Sequence, residues 1–230
     1  MNHELPLISC ICITAHRPEM LYRAIISFDQ QDYPNKELVI SYPEADQITK
    51  DLVGRFIDET DIAIIEIERN NSHSIGRARN NAIENCNGDY VCIWDDDDLY
   101  FPSRITEQYN SIVRYNHAYE GAVLLHILLY HRFNQSAYVS YPSYWSCTLL
   151  CNKKHLITHP CADSDQFECM PVINYLAASN LLLAIDSQPH LYTFMFHGRN
   201  LMNYINFLYI INDSHFTSEV VSQNIKIYLD

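Results

Sequence analysis

The sequence predicts an α/β protein with a mostly parallel central sheet and helices on both faces. Three observations carry this. Short apolar runs alternate with stretches whose apolar residues recur at helical spacing. The runs lack the polar alternation of a strand with one wet face, as strands covered on both sides do. Strand then helix repeats up to Tyr90–Trp94, which ends in four consecutive carboxylates, Asp95 to Asp98. That alternation builds a parallel sheet through right-handed crossovers.

Leu5–Thr14 (LPLISCICIT) is the first buried strand. Pro18 suits the first turn of a helix, on which Met20, Leu21, Ala24, Ile25 and Phe28 share a face until Tyr33-Pro34-Asn35. Glu37–Ser41 is the second strand and Gln47–Thr60 the second helix, with Ile48, Leu52, Val53, Phe56 and Ile57 inward. Ile62–Glu68 is the third strand, Asn70–Ser74 a polar turn and Ile75–Cys86 the third helix. Asn87-Gly88-Asp89 turns into Tyr90–Trp94. Beyond the carboxylates, Pro102–His117 reads as helix, and Gly121–Phe133 with Ala137–Cys151 as two long strands of a hairpin. Ser164–Ala178 is a helix, Leu181–Asp186 and His190–Phe196 are strands, and Asn200–Ile211 is an aromatic helix. Asn212–Asp230 is unassigned. No repeat or low-complexity linker divides the chain. One continuous unit is expected: residues 5–100 form a half of nucleotide-binding type, and residues 101–211 a half that covers it.

At 48% hydrophobic residues the chain has enough for a sizeable core. The net charge is −13 and the longest basic run is Lys153–Lys154. This argues against a nucleic-acid partner and offers no attraction to anionic lipid. The eight cysteines form no C-x-x-C pair, and Cys10, Cys12 and Cys92 sit in apolar runs as small buried hydrophobes. The chain shows no signal peptide and no run approaching the ~18–20 apolar residues of a membrane span. A reduced, cytoplasmic protein is expected, with peripheral membrane association left open.

Ligands of open α/β sheets bind beyond the carboxyl ends of the strands. An isolated acidic run is more often a solvated loop; this one follows an apolar strand. Adjacent carboxylates repel, and a divalent cation would offset that. Mg²⁺ typically takes one or two carboxylates plus phosphate oxygens. Residues two apart on a strand share a face, so Asp95 and Asp97 are expected to point at one metal. The loops after the first and second strands, Thr14–Arg17 and Tyr42–Asp46, should meet the run at the same edge.

Further along the chain, SIGRARNNA (Ser74–Ala82) puts Arg77 and Arg79 at a helix start, where bidentate arginine and backbone N–H groups suit phosphate. An amphipathic helix with exposed arginines is the plain alternative. His197-Gly198-Arg199-Asn200 follows a strand, so His197 is a metal ligand, a phosphate donor or a structural histidine. Asp163, Asp165 and Glu168 open a helix, as caps or as a general base. Trp145 is a platform for a ligand or a core residue. Only five glycines occur, and Gly76, Gly88 and Gly198 fall within these segments.

Together these pieces resemble the family 2 glycosyltransferases, which have the Rossmann-like GT-A fold. The match runs through CICITAHRPEMLYRAIIS, QDYPNKELVI, RNNSHSIGRARNNAIENCNGDYVCIWDDDD and HGRN, over roughly residues 5–200. The resemblance implies a nucleotide-sugar donor, with UDP-sugar expected, a Mn²⁺ or Mg²⁺ ion on the acidic motif, and transfer of a hexose with inversion. By the same resemblance, Thr14 and Arg17 lie near the nucleotide, Arg79 near the diphosphate, and Asp95 and Asp96 on the nucleoside or metal-bound diphosphate. Asp97 is the main metal ligand, supported by Asp95, Asp98 and His197. Tyr42-Pro43 stand where the family has an acidic pair, so Glu44 and Asp46 are the substitutes. Asp163 is the expected base, with Asp165 and Glu168 behind it. The acceptor expected in residues 101–211 is a glycan or a lipid-linked sugar. A phosphatase or mutase would need a Thr soon after the Asp pair, and a nucleotidyltransferase a Gly-rich first loop; neither is present. The non-enzyme alternative is a degenerate transferase that binds nucleotide-sugar or a partner protein. The aromatic helix (Tyr204, Phe207, Tyr209) packs inside or against a second chain, so a homo-oligomer is open.

Overall fold

The computed structural model describes residues 5–115, 118–217 and 219–227. The chain opens with β1 (Ile8–Ile13), α1 (Pro18–Asp29), β2 (Lys36–Pro43), α2 (Gln47–Glu59), β3 (Ile64–Arg69), α3 (Ile75–Asn85) and β4 (Tyr90–Ile93). These follow the predicted order within a few residues. After the carboxylates come β5 (Leu99–Tyr100), α4 (Arg104–Arg114), β6 (Gly121–Leu124), β7 (Leu128–His131) and β8 (Ser136–Val139). Then follow β9 (Leu150–Asn152), α5 (Lys153–Thr158), α6 (Met170–Ala178), β10 (Leu182–Ile185) and β11 (Tyr192–Phe196). The chain closes with α7 (Tyr204–Asn212), β12 (His215–Phe216) and α8 (Glu219–Ile227).

The first sheet has strand order β10-β6-β9-β4-β1-β2-β3. The β4-β1-β2-β3 strands are parallel, so their carboxyl ends share one edge. Helices bury apolar faces against both sides: Leu21, Ala24, Ile25 and Phe28 in one core cluster, Ala78, Ala82 and Ile83 in the other. β9 runs antiparallel between β4 and β6. The sheet is thus continuous from the first half of the sequence into the second. A second sheet, β12-β8-β7-β11-β5, flanks the same edge.

Several elements differ from expectation. The two predicted long strands do form a hairpin, β7 with β8. Each also breaks: Gly121–Phe133 bends between β6 and β7 to pass from the first sheet to the second. Trp145 closes that bend, its Nε1 donating to Leu125 O at 3.1 Å while the ring packs against the core. The helix predicted from Ser164 starts at Met170, where Pro171 fits the first turn and Phe167 adopts φ +56° just before. The aromatic helix starts at Tyr204, because Asn203 caps it by accepting from Asn206 N. β4 ends at Ile93, so the carboxylates occupy a turn. The two-residue alternation of a strand therefore does not set their directions. His117 lies outside the described residues.

The loop of residues 161–168 docks on the first turn of α3. Gly76 N donates to Ser164 O at 2.9 Å, and a Cβ on Gly76 would sit 1.8 Å from Ala162 O. No side chain fits there without moving that backbone. We expect Gly76→Ala to cost about 3 kcal/mol, the upper end of overpacking, read as a lower denaturation midpoint at unchanged slope. Gly54 is the control: it lies mid-helix in α2, and a Cβ added there would meet nothing within 4 Å. Gly54→Ala should gain roughly 0.5–1 kcal/mol.

Candidate active site

The loops after β1, β2 and β4 meet the end of β11, and the expected site residues gather there. Trp94 anchors the β4 end: its ring is fully buried, stacks on Tyr100 at 3.7 Å and donates Nε1–H to Ala24 O. Arg104, also fully buried, lies over Trp94, Tyr100 and Tyr192 and donates to Ile93 O and Cys147 O. The backbone on which the carboxylates sit is therefore fixed on both sides.

Each aspartate then reaches a different element. Asp95 accepts from Arg79 Nη2 at 2.8 Å, and Arg79 Nη1 holds Glu168. Asp96 accepts from Thr14 Oγ1 and from Arg17 Nη2, each at 2.6 Å. Asp97 Oδ2 takes Arg17 Nη1 at 2.8 Å and faces His197 Nε2 at 3.1 Å. Asp98 accepts from Tyr192 OH and from Met195 N. Exposure sorts them: the side chains of Asp95 and Asp97 are 27% and 13% accessible, that of Asp96 only 1%, and Asp98 is buried.

The charges are imperfectly balanced. Burial, then the neighbouring Asp97 charge, pushes the Asp96 carboxyl up to about 7. Burial raises Asp98 well above the ordinary carboxylate range, again with Asp97 adding to it. Burial also raises Asp95, against the opposing Arg79 charge. For Asp97, burial is outweighed by the His197 hydrogen bond and the Arg17 charge, so it lies below its usual value. Of the two acids at the open face, burial raises Asp95 while Asp97 is lowered by its partners.

Among the described residues, no three His, Cys, Asp or Glu side chains already surround a metal-sized point. The donor set nevertheless suits a hard cation. The four aspartates outnumber the two arginines bonded to them, Arg17 and Arg79, and Asp95 and Asp97 reach the surface. Asp95 Oδ2 accepts no hydrogen bond among the described residues. Such a pair, completed by phosphate oxygens, is what Mg²⁺ or Mn²⁺ takes.

Other expected site residues are placed differently. Asp98 does not join the open face, because both its oxygens are engaged inside by β11. Asp46 is buried and both its oxygens are used: it caps α2 through Thr49 and accepts from His16 N. That bond holds His16 in a left-handed conformation, φ +53°, which orients Arg17. Glu44 is exposed, with its backbone N–H on Arg69 O. Tyr42 is buried and its hydroxyl bonds Glu66. Asp163 accepts from Ser74 Oγ and Asp165 from Ile75 N, both at the start of α3 and both exposed. Glu168 is buried on Arg79. The three acids predicted as one group are thus divided between the surface and the interior.

Sequence reasoning missed Arg69. It ends β3 and is buried, with Nε and Nη1 free of hydrogen bonds among the described residues. Burial depresses its ordinary value, against the opposing charges of Asp46 and Asp96. Its signal was a cation closing an otherwise regular strand, Ile64–Arg69.

The family model described as "Glycosyl transferase family 2" matches residues 9–147. A Campylobacter jejuni protein named GalNAc(5)-diNAcBac-PP-undecaprenol beta-1,3-glucosyltransferase is 28% identical over 94 residues, 41% of this chain and 30% of that protein. Among solved structures, the mannosyltransferase PcManGT of Pyrobaculum calidifontis, in complex with GDP-Man and Mn²⁺, aligns with a TM-score of 0.67 at 13% identity, over 93% of this chain and 66% of that one. S. aureus TarS 1-349 in complex with UDP aligns with a TM-score of 0.64 at 15% identity, over 83% of this chain and 61% of that one. The chain thus spans under a third of the curated relative and about three fifths of TarS 1-349. The structural likenesses show a shared GT-A fold. With more than half of its length matched by the family model, the chain belongs to glycosyl transferase family 2.

Proposed function

We propose that the chain transfers a sugar from a nucleoside diphosphate donor, a UDP-sugar first, to an acceptor hydroxyl, with inversion and with a divalent cation. One observation carries the reading. The turn after β4 buries Asp96 and Asp98 as anchors and leaves Asp95 and Asp97 at an open face flanked by Arg17 and Arg79. The relatives' names support the substrate classes: TarS is described with UDP and with UDP-GlcNAc, PcManGT with GDP-Man and Mn²⁺, and the Campylobacter protein by a lipid-linked glycan. A glycan or lipid-linked sugar is the acceptor class we assign.

In this reading Asp97 and Asp95 hold the cation, which supplies Lewis acidity toward the leaving diphosphate. Arg17 and Arg79 keep the carboxylates oriented and add positive charge where negative charge develops. Arg69 is buried behind Asp46 and Asp96 and adds positive charge from within. Asp163 and Asp165 are exposed and each keeps one oxygen outside its capping bond. We assign Asp163 as the base that takes the acceptor's proton as that oxygen attacks the anomeric carbon. The carbon–oxygen bond to the diphosphate then breaks on the opposite face. A binding module without turnover is the second reading. It is favoured by Asp46 and Tyr42, whose polar atoms are committed within the protein and so unavailable to a nucleotide base.

The test is calorimetric titration with UDP, GDP and CDP, with and without Mn²⁺, on wild type and Asp97→Ala. One nucleotide should bind in a metal-dependent way, with affinity falling about tenfold or more in the variant, roughly 1.4 kcal/mol. Absence of binding for all three overturns the reading. Metal-dependent binding with no turnover of any donor would support the module. Arg69→Met should weaken the same nucleotide by less than Asp97→Ala does, because its charge acts on the site from within.

A further inference from the structure

Two cysteines close the loop that carries Asp163, Asp165 and Glu168. Cys161 opens it, and Cys169 follows it immediately before α6. Their Sγ atoms lie 3.1 Å apart, about 1 Å more than a disulfide bond needs. Just inside the pair the backbone is already drawn together, with Ala162 N donating to Glu168 O at 2.8 Å. Cys161 is tied to α3 by both its backbone polar atoms. Its N–H donates to Asn80 Oδ1 at 2.8 Å, and its carbonyl accepts from Asn80 Nδ2 at 2.9 Å.

The surroundings set this pair apart. Cys10 and Cys92 also face each other, in the register of β1 and β4, but both are fully buried in the core. Cys161 keeps 4% exposure, at the neck of a loop whose residues 162–167 are largely exposed. A cation adjoins the pair, with Arg79 Nη1 3.6 Å from Cys169 Sγ. The Cys161 thiol lies below its ordinary value, lowered first by the hydrogen bond with Cys169 and further by the Arg79 charge, against burial. The thiolate is the nucleophilic form of cysteine, and a neighbouring cation favours it.

The pair also touches the candidate active site. Arg79 Nη2 holds Asp95 and Nη1 holds Glu168, while its buried Nε has no partner among the described residues. Glu168 is the chain neighbour of Cys169. With Cys161 anchored on Asn80, a bond between the sulfurs draws Cys169 about 1 Å toward it. Cys169 then leaves the guanidinium, Glu168 shifts with it, and the arginine that orients Asp95 loses its support.

We propose that Cys161 and Cys169 form a reversible dithiol–disulfide switch at the neck of this loop, closed by a hydroperoxide and coupled through Glu168 and Arg79 to Asp95. The Cys161 thiolate attacks one oxygen of hydrogen peroxide, the O–O bond breaks and the other oxygen leaves as hydroxide, giving a sulfenic acid. The Cys169 sulfur displaces that hydroxyl and the S–S bond forms. The thiol protons go to the departing oxygens, so two thiols and one hydrogen peroxide become one disulfide and two waters. The dithiol stands on its own geometry; its control of nucleotide binding rests on the transferase reading.

Trypsin cuts after Lys154 and Arg199 and nowhere between, so the peptide of residues 155–199 holds Cys161 and Cys169 and no other cysteine. Wild type is treated with hydrogen peroxide, quenched with catalase, denatured, alkylated with N-ethylmaleimide and digested. By mass, the peptide should have lost two hydrogens and taken no alkyl group, and dithiothreitol before alkylation should restore both thiols. In Cys161→Ser, Cys169 should stay open to alkylation. Two alkylated cysteines in treated wild type, or over-oxidised Cys161 beside a free Cys169, overturn the dithiol.

The coupling has two readouts. Amide hydrogen exchange across residues 95–98 should be faster in oxidised than in reduced wild type and unchanged by peroxide in Cys161→Ser. UDP with Mn²⁺ should bind oxidised wild type at least about fivefold more weakly than reduced, the low end of coupling between sites, and treated and untreated Cys161→Ser alike. A disulfide that changes neither exchange nor affinity overturns the switch. If reduced wild type binds no nucleotide, the transferase reading falls and hydrogen exchange alone decides the coupling.

Discussion

Four adjacent carboxylates cannot sit together at a strand end without partners, and that repulsion organises the molecule. The partners come from far apart in the chain. Arg79 arrives on α3, Thr14 and Arg17 on the loop after β1, and Tyr192, Met195 and His197 on or beside β11. The turn thus joins the parallel sheet to the second sheet. Burial then separates the acids into two roles. Those with both oxygens satisfied inside are anchors, and those at the surface retain capacity for a ligand.

The support beneath the turn is apolar and cationic. Trp94 and Tyr100 stack beside a buried Arg104 whose charge is set among rings and carbonyl oxygens. A buried cation without a carboxylate costs desolvation. Here it is offset by hydrogen bonds to Ile93 O, Cys147 O and Gln108, and by the faces of three aromatic rings. Rigidity at Trp94 is passed to Asp95 one residue later. Tyr100 OH also donates back to Asp95 O at 2.7 Å.

Most of the first half was legible because its apolar periods are long and its turns carry Pro, Asn and Gly. The sheet edge shared by Thr14, Arg17 and the aspartates followed from parallel alternation alone. What sequence could not show was direction within the acidic run. Strand alternation pairs Asp95 with Asp97, and the pair at the surface is the same. The cause is different: β4 stops at Ile93, and partners rather than pleat decide where each acid points. Asp46 and Asp98 read as ligands because an acid near a site and an acid used as a cap look alike in sequence. Only the hydrogen bonds from Thr49, His16, Tyr192 and Met195 distinguish them. Arg69 was overlooked for the converse reason. A single arginine gains meaning only from the absence of a partner, which has no linear signature.

The position of β9 bears on how the chain reaches its native state. β4 hydrogen-bonds on one side to β1 and on the other to β9, with Tyr90 opposite Asn152. A nascent chain that ends short of β9 leaves β4 with an open strand edge, the kind of template that invites mispairing. The elements through β4 can associate early from near-neighbour contacts, whereas closure of that edge waits on a distant segment and is intrinsically slower. The strand that carries the acidic turn is thus sealed later than its parallel neighbours β1 and β2 during synthesis. Capture by chaperones and vulnerability to proteolysis should concentrate on the interval before residue 152 emerges.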